Sequence, residues 1–398
     1  MPPTLTRPVD VRNAWLIWLG FAIGVVLFAW SEGFSRTVTG AYRGGAEPWL
    51  AHQPIYTVSE WGGFLYPPVS AMLFAPFTLL PHDLGEALWR LTNLGVLAWG
   101  VRRASAAASR LAGVELFPLS TLLCLAALLP AARNGQATLF ITGLLLVAVE
   151  AAVRRRWWTS GAMLALATVI KPIAVVLLLL FAALRPRVVV PAVIALLVLC
   201  SLPALHDGVA KATADLGQWV EKLRTVSLPP ESLRVSDVFG GLTAFGIRVP
   251  PGIAYGIRLV AAVLTLGLCF VSFRRFGHAP GVLLTGAFGL SYMLLFNART
   301  ENNTYGALAP AQAILASWLI LAQSRLLLGV VVASLPFIGL SGYELGKFIT
   351  PGRETWIAPL SGTVFLVVLC LVVFMARPVR TRGTAGATTG SGASSAPG

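Results

Sequence analysis

Charge is scarce in this sequence. Asp, Glu, Lys and Arg make up 12% of its 398 residues, against about 25% in soluble proteins, while 56% of the chain is hydrophobic. A water-soluble globule is thereby excluded, because no aqueous fold could hide so much apolar surface. Cysteine is nearly as rare. Cys124, Cys200, Cys269 and Cys370 all lie inside apolar stretches without C-x-x-C spacing, which argues against a disulfide framework or a cysteine zinc site. Strict apolar-polar alternation is missing too, and with it the pattern of a membrane barrel. The net charge of +14 does not imply nucleic acid, because the basic residues fall in short clusters and not on a face interleaved with aromatics. The polar stretches hold no D-x-D and no His-rich cluster, so neither a metal site nor a cofactor is expected.

What is present is a succession of apolar runs long enough to cross the hydrocarbon layer of a bilayer, separated by short polar clusters. Backbone polar groups in lipid must be satisfied within their own segment, so these runs are expected to be helices. The fold class is therefore all-α, a polytopic transmembrane helical bundle of about twelve spans. Lys and Arg close to span ends mark the cytoplasmic side. Arg7 with Arg12, Arg102 with Arg103 and Arg110, Arg154 to Arg156, Arg185 with Arg187, Arg274 with Arg275, Arg325, and Arg377 with Arg380 fall at alternate turns. The crossings between them are expected at residues 14–30, 67–101, 116–130, 137–153, 158–170, 173–184, 188–205, 253–273, 279–297, 304–323, 326–345 and 356–376. Two regions admit another reading. The polar residues 82–86 divide 67–101, so one part of it could be re-entrant, and the pair around Lys171-Pro172 could be a single tilted helix.

The first run is long for a signal h-region and no A-x-A follows it, so it is read as a retained span. Residues 1–13 are then a cytoplasmic N-terminus, 14–376 the membrane domain, and 377–398 a disordered cytoplasmic tail of Gly, Ala, Ser and Thr. External loops are expected at 31–66, 206–250 and 298–303, the first including a juxtamembrane helix. The protein is expected in the plasma membrane with both termini inside.

Once the cytoplasmic clusters are set aside, the remaining polar residues gather on the other face. Lys171 precedes a proline that bends the helix and frees a backbone carbonyl; it either snorkels to the headgroups or binds a phosphate. Asn134-Gly135-Gln136 reads as a turn between spans, with Gln136 also able to hold a substrate hydroxyl. Arg299-Thr300-Glu301-Asn302-Asn303 is either a salt-bridged connector or a binding segment. The first external loop mixes Tyr42, Trp49, Tyr56, Trp61 and Tyr66 with Glu47, His52, Gln53 and Glu60. An interfacial aromatic belt accounts for the rings but not for the Glu, His and Gln. Aromatic faces beside carboxylates and amides also suit a sugar.

From this loop onward the sequence resembles glycosyltransferase family 87, polyprenol-phosphate-mannose-dependent alpha-mannosyltransferases of the GT-C type. The similar features are, in order, Tyr42 and Tyr56 around a small-residue stretch, Tyr66-Pro67-Pro68, Leu88-Trp89, Gly135-Gln136 and Ile170-Lys171-Pro172. The likeness runs over roughly residues 36–310, and Arg299 to Tyr305 looks like an external motif of some branches. It implies a membrane hexosyltransferase that moves a hexose, mannose in the family, from a polyprenyl-phosphate donor to a lipid or glycan acceptor on the external face. Membrane lipids are the other partners, and nucleic acid is not one.

The family places an Asp four residues before its first Tyr as the base, and this chain has Val38 there. The substitute base must come from Glu32, Glu47, Glu60 or Glu301. Glu47 is the first choice, and Glu47 and Glu301 form the catalytic set. Lys171 and Arg299 are assigned to the phosphate, and Asn134, Gln136, Asn302 and Asn303 to hydroxyls, with Tyr42, Tyr56 and Tyr66 completing the binding set. Two alternatives remain: a lipid or solute transporter or flippase, for which no internal repeat is found, and a family member that binds but no longer transfers.

Overall fold

The computed structural model describes residues 8–56, 63–225, 235–349 and 354–375. Arg7, Glu60, Trp61, Arg377, Arg380 and the tail lie outside the described residues. Among the described residues, secondary structure is entirely helical. The chain opens with α1 (Pro8–Ser31) and a short α2 (Thr39–Leu50), then α3 (Pro68–Thr78) and the long α4 (His82–Ala112). The helices α5 (Phe117–Asn134), α6 (Ala137–Val153), α7 (Trp157–Ile170), α8 (Val175–Leu184) and α9 (Val189–Ser201) follow with only short turns between them. After α10 (Ala204–Thr225) and α11 (Val238–Ala244) come α12 (Pro251–Phe276), α13 (His278–Leu295), α14 (Ala309–Leu321), α15 (Leu326–Ile349) and α16 (Ile357–Met375).

Each apolar run expected to cross the bilayer coincides with at least one helix. Among the described residues, six helical segments could each cross alone by length and apolarity, and the α9–α10 pair, bent by 95°, would make a seventh. The remainder of the expected twelve are helices such as α6, α7 and α8, which are apolar but short. The doubtful region 67–101 resolves into two helices, α3 and α4.

Small residues let the central helices approach closely. Gly100 of α4 faces Gly143 of α6, and a Cβ on either would collide with the backbone of the other helix. Such small-residue seams drive association where lipid gives no hydrophobic advantage to helix contact. The outer faces are apolar: on α12, Ile253, Leu259, Val263, Leu264 and Phe270 are all exposed. A helix exposed that way is stable only with hydrocarbon around it. The arginines expected to mark the cytoplasmic side also neutralise a fully buried carboxylate, since Glu150 of α6 pairs with Arg103 at 2.8 Å, Arg110 at 3.7 Å and Arg154.

Candidate active site

At the opposite end of the bundle, one face of α4 holds the turn between α5 and α6. Residues 86, 89, 90 and 93 lie on one helical stripe by their spacing. Trp89 Nε1 donates to the Gly135 carbonyl at 2.7 Å, Arg90 donates to the Arg133 carbonyl at 2.8 and 3.1 Å, and Asn93 Nδ2 donates to the Gln136 carbonyl at 2.7 Å. The turn needs glycine, because Gly135 has φ +73° and a Cβ there would sit 2.9 Å from Thr39 Cγ2. Gly135→Ala is accordingly expected to destabilise the protein by about 1–3 kcal/mol, the range for a strained left-handed residue, read as a lower midpoint of thermal unfolding in detergent.

Beneath this turn lies a buried ion cluster. The Glu86 carboxylate, almost wholly buried, takes Arg90 Nη1 at 2.5 Å, Arg43 at 3.6 Å, and the hydroxyls of Thr37 (3.2 Å) and Thr39. Val38, where the family has its Asp, donates its N–H to the Asn134 carbonyl at 3.0 Å. A carboxylate thus does reach the Val38 region, from α4, but two arginines and two hydroxyls occupy it. Removing Arg90 leaves the buried carboxylate with only the more distant Arg43, so Arg90→Met should cost about 3 kcal/mol, whereas pairing it with Glu86→Leu should restore much of that loss. Unfolding midpoints of the single and double variants check it.

Lys171 stands where α7 breaks. Pro172 biases the residue before it to extended backbone, and Lys171 has φ −144° and ψ 107°. The break leaves carbonyls of the last turn of α7 open, and Ser70 of α3 donates to that of Val169 at 2.5 Å. The Lys171 ammonium donates to Thr138 Oγ1 at 2.6 Å in the first turn of α6, and Gln136 is the N-cap residue of the same helix. Gln136 Nε2 in turn donates to Glu301 Oε2 at 3.0 Å. The Glu301 carboxylate acts electrostatically on Lys171, Tyr42 and Tyr66.

Two tyrosines form an adjoining wall. The Tyr42 hydroxyl accepts from the Ala137 N–H at 3.1 Å, and its ring lies 5.6 Å from that of Tyr66. Burial pushes the Tyr66 hydroxyl up to about 12, so near neutral pH it acts as a protonated hydrogen-bonding group and not as a base. Burial also lowers Arg299, while Tyr66 beside it acts in the opposite sense. The segment bearing Arg299 and Glu301 is fixed from behind: the Thr300 carbonyl accepts from Ser236 N–H at 2.6 Å, and Arg258 bridges the Phe296 carbonyl (2.9 Å) and Asp237 (2.7 Å).

The structure therefore brings together Tyr42, Tyr66, Gln136, Lys171, Arg299 and Glu301 from segments far apart in sequence. It does not bring Glu47 to them, since that side chain is 58% exposed and pairs with Arg43 at 3.3 Å. Glu32 is taken by Arg133. Asn134 braces the loop before α2 by donating to the Arg36 carbonyl at 3.4 Å. Tyr56 supports the site at one remove, its hydroxyl donating to the Tyr66 carbonyl at 2.7 Å. Asn302 and Asn303 follow Glu301 in the first turn before α14, half-buried. Sequence reasoning missed Thr138, Ser70, Arg90 and Asn93. The spacing of polar residues along α4 was a signal for the last two, whereas Ser70 and Thr138 read as ordinary small residues of apolar helices.

The helical bundle with its polar cluster at one end is that of a polytopic membrane protein. The model of glycosyltransferase family 87 matches residues 64–298, more than half of the chain, and the protein belongs to that family. A crystal structure of ArnT from Cupriavidus metallidurans bound to undecaprenyl phosphate is similar with a TM-score of 0.50 at 14% identity, over 92% of this chain and 76% of that one. ArnT in the apo state gives 0.45 at 14% identity, over 89% and 77%. At 14% identity the likeness to the undecaprenyl phosphate-bound structure is one of fold. No curated protein matches the chain.

Proposed function

We propose that the protein transfers a hexose, mannose by family resemblance, from a polyprenyl-phosphate donor to a lipid or glycan acceptor on the external face of the plasma membrane. The observation that carries this reading is that Lys171, at the proline break of an apolar helix, donates to Thr138 while Gln136, two positions before Thr138, donates to Glu301 of a distant loop, whose charge acts on the lysine. Family membership and the fold shared with a protein crystallised with undecaprenyl phosphate support it. This reading takes both termini as cytoplasmic, residues 14–376 as the membrane domain of about twelve crossings, and 31–66, 206–250 and 298–303 as external loops.

In this mechanism Glu301 takes the proton of the acceptor hydroxyl. The acceptor oxygen forms a bond to the anomeric carbon as the bond from that carbon to the phosphate oxygen breaks. The leaving polyprenyl phosphate gains negative charge, which Lys171 and Arg299 meet with fixed positive groups in a site of low dielectric constant. Tyr42 and Tyr66 present ring faces to the sugar's C–H surface, and Gln136, Asn302 and Asn303 hold hydroxyls. Glu301 is preferred to Glu47 as the base because Glu47 is exposed and paired with Arg43. The test is incubation of the reconstituted full chain with labelled polyprenyl-phosphate-mannose and a membrane lipid extract. Labelled product is expected; intact donor binding without turnover would favour a protein that binds the lipid-linked sugar without transferring it.

A further inference from the structure

Away from this cluster, three metal-ligating side chains converge at the corner between α9 and α10. His52 follows the end of α2, while His206 and Asp207 lie in the first turn of α10, more than 150 positions later in the chain. The Nδ1 atoms of both imidazoles lie on one oxygen, Asp207 Oδ1, at 2.9 Å from His52 and 3.0 Å from His206. The three potential ligand atoms fall within 4.8 Å of one another. The imidazole rings stack at 4.3 Å and 11°, and Trp49 closes the other side of His206 at 4.3 Å.

Two details set this apart from an ordinary surface ion pair. The Asp207 side chain is 0% exposed, and its second oxygen, Oδ2, is buried without a hydrogen-bond partner among the described residues. A buried acceptor left unsatisfied costs about 1–3 kcal/mol. The backbone is strained at His52, whose φ of +53° lies in a region that non-glycine residues enter at a cost, and the chain kinks at Gly208, where glycine permits φ +75°. Both imidazoles crowd one carboxylate oxygen while the other oxygen receives nothing.

We propose that His52, His206 and Asp207 form a binding site for a divalent transition-metal ion, zinc by the chemistry of the donors. Two neutral imidazoles and a carboxylate are a common zinc donor set, with water in the fourth position. Ligands at zinc-bond length in a tetrahedron are about 3.3 Å apart, so the observed 2.9 and 3.0 Å need open by only a few tenths of an ångström. The metal removes the need for two N–H donors at one oxygen, and its bound water can donate to Oδ2.

The role of the ion is to staple. α10 lies over the loop before α3, where Trp219 Nε1 donates to the Leu65 carbonyl at 3.1 Å and Lys211 Nζ donates to the Gln53 carbonyl at 3.4 Å. Tying α10 to the end of α2 fixes the helix that covers the chain immediately before Tyr66. None of the three ligands belongs to the cluster around Lys171, so the site stands whether or not the chain transfers sugar.

The experiment uses the full chain purified in detergent without a polyhistidine tag, stripped with a chelator and titrated with zinc chloride. A single equivalent of zinc by elemental analysis is expected, with a rise of several degrees in the unfolding midpoint and no rise with magnesium. His206→Gln and Asp207→Asn should each weaken zinc binding at least tenfold. Cobalt added to the unmodified chain should give the visible bands of a tetrahedral site, a readout independent of how any variant folds. Absence of stoichiometric zinc in the unmodified chain, or binding untouched by both substitutions, overturns the proposal.

Discussion

Replacing Lys171 by alanine is expected to lower the rate of sugar transfer by about 100- to 1,000-fold, the loss typical of deleting one preorganised group that meets transition-state charge. The effect should fall on kcat, because charge builds on the phosphate only as the glycosidic bond breaks. Lys171→Arg should recover little of it. The guanidinium keeps the charge, but its planar fork cannot occupy the point that an ammonium reaches beside Thr138 Oγ1 at 2.6 Å. Thermal stability gives the complementary readout. Lysine beside an apolar helix break is costly to desolvate, so the alanine variant should unfold at the same temperature or higher while transfer is lost. Initial rates in proteoliposomes, measured with unfolding midpoints, check both parts; a variant with near-normal rates would remove Lys171 from the mechanism.

Glu301→Gln is expected to have the second large effect, a fall in kcat of about 100- to 10,000-fold, the contribution of a positioned general base. The amide is nearly isosteric and can still accept a hydrogen bond from Gln136, so donor binding should persist while turnover disappears. Glu47→Gln serves as the comparison and should leave the rate within about twofold, since surface substitutions away from special features act weakly. The reverse ranking would return the base to α2. Donor binding followed by lipid retention on the protein, beside product formation, distinguishes loss of the base from loss of the site.

Much of this protein could be read without coordinates, because the bilayer imposes strict rules on sequence. Long apolar runs must be helices in hydrocarbon, and all the expected runs do coincide with helices. The break at Lys171-Pro172 was legible for a local reason, since proline acts on the residues beside it and on its own missing N–H. Family kinship was legible in the resemblance carried by Tyr66-Pro67-Pro68, Gly135-Gln136 and Ile170-Lys171-Pro172, and the family model matches residues 64–298.

Span count was less legible. Helices such as α6 and α7, buried by their neighbours, need not be long enough to cross alone, whereas α4 carries Glu86, Arg90 and Asn93 inward, which lowers its apparent apolarity. Composition cannot distinguish a charge facing lipid from one facing a partner.

The sequence by itself determined that this chain is a membrane helical bundle with its unexplained polar residues at one end, because hydropathy and proline act over a few neighbouring positions. Which carboxylate meets Lys171 was decided only by tertiary structure. Glu47 and Glu301 look alike in sequence, and nothing local tells that Glu47 turns to Arg43 while the loop anchored by Ser236 and Arg258 carries Glu301 to Gln136. The same holds for His52, which the sequence set among the polar residues of the first external loop suited to a sugar, and for His206 and Asp207, which it did not single out. Their meeting depends on a 95° bend between α9 and α10, and proximity across so long a stretch of chain is a property of packing, not of any local pattern.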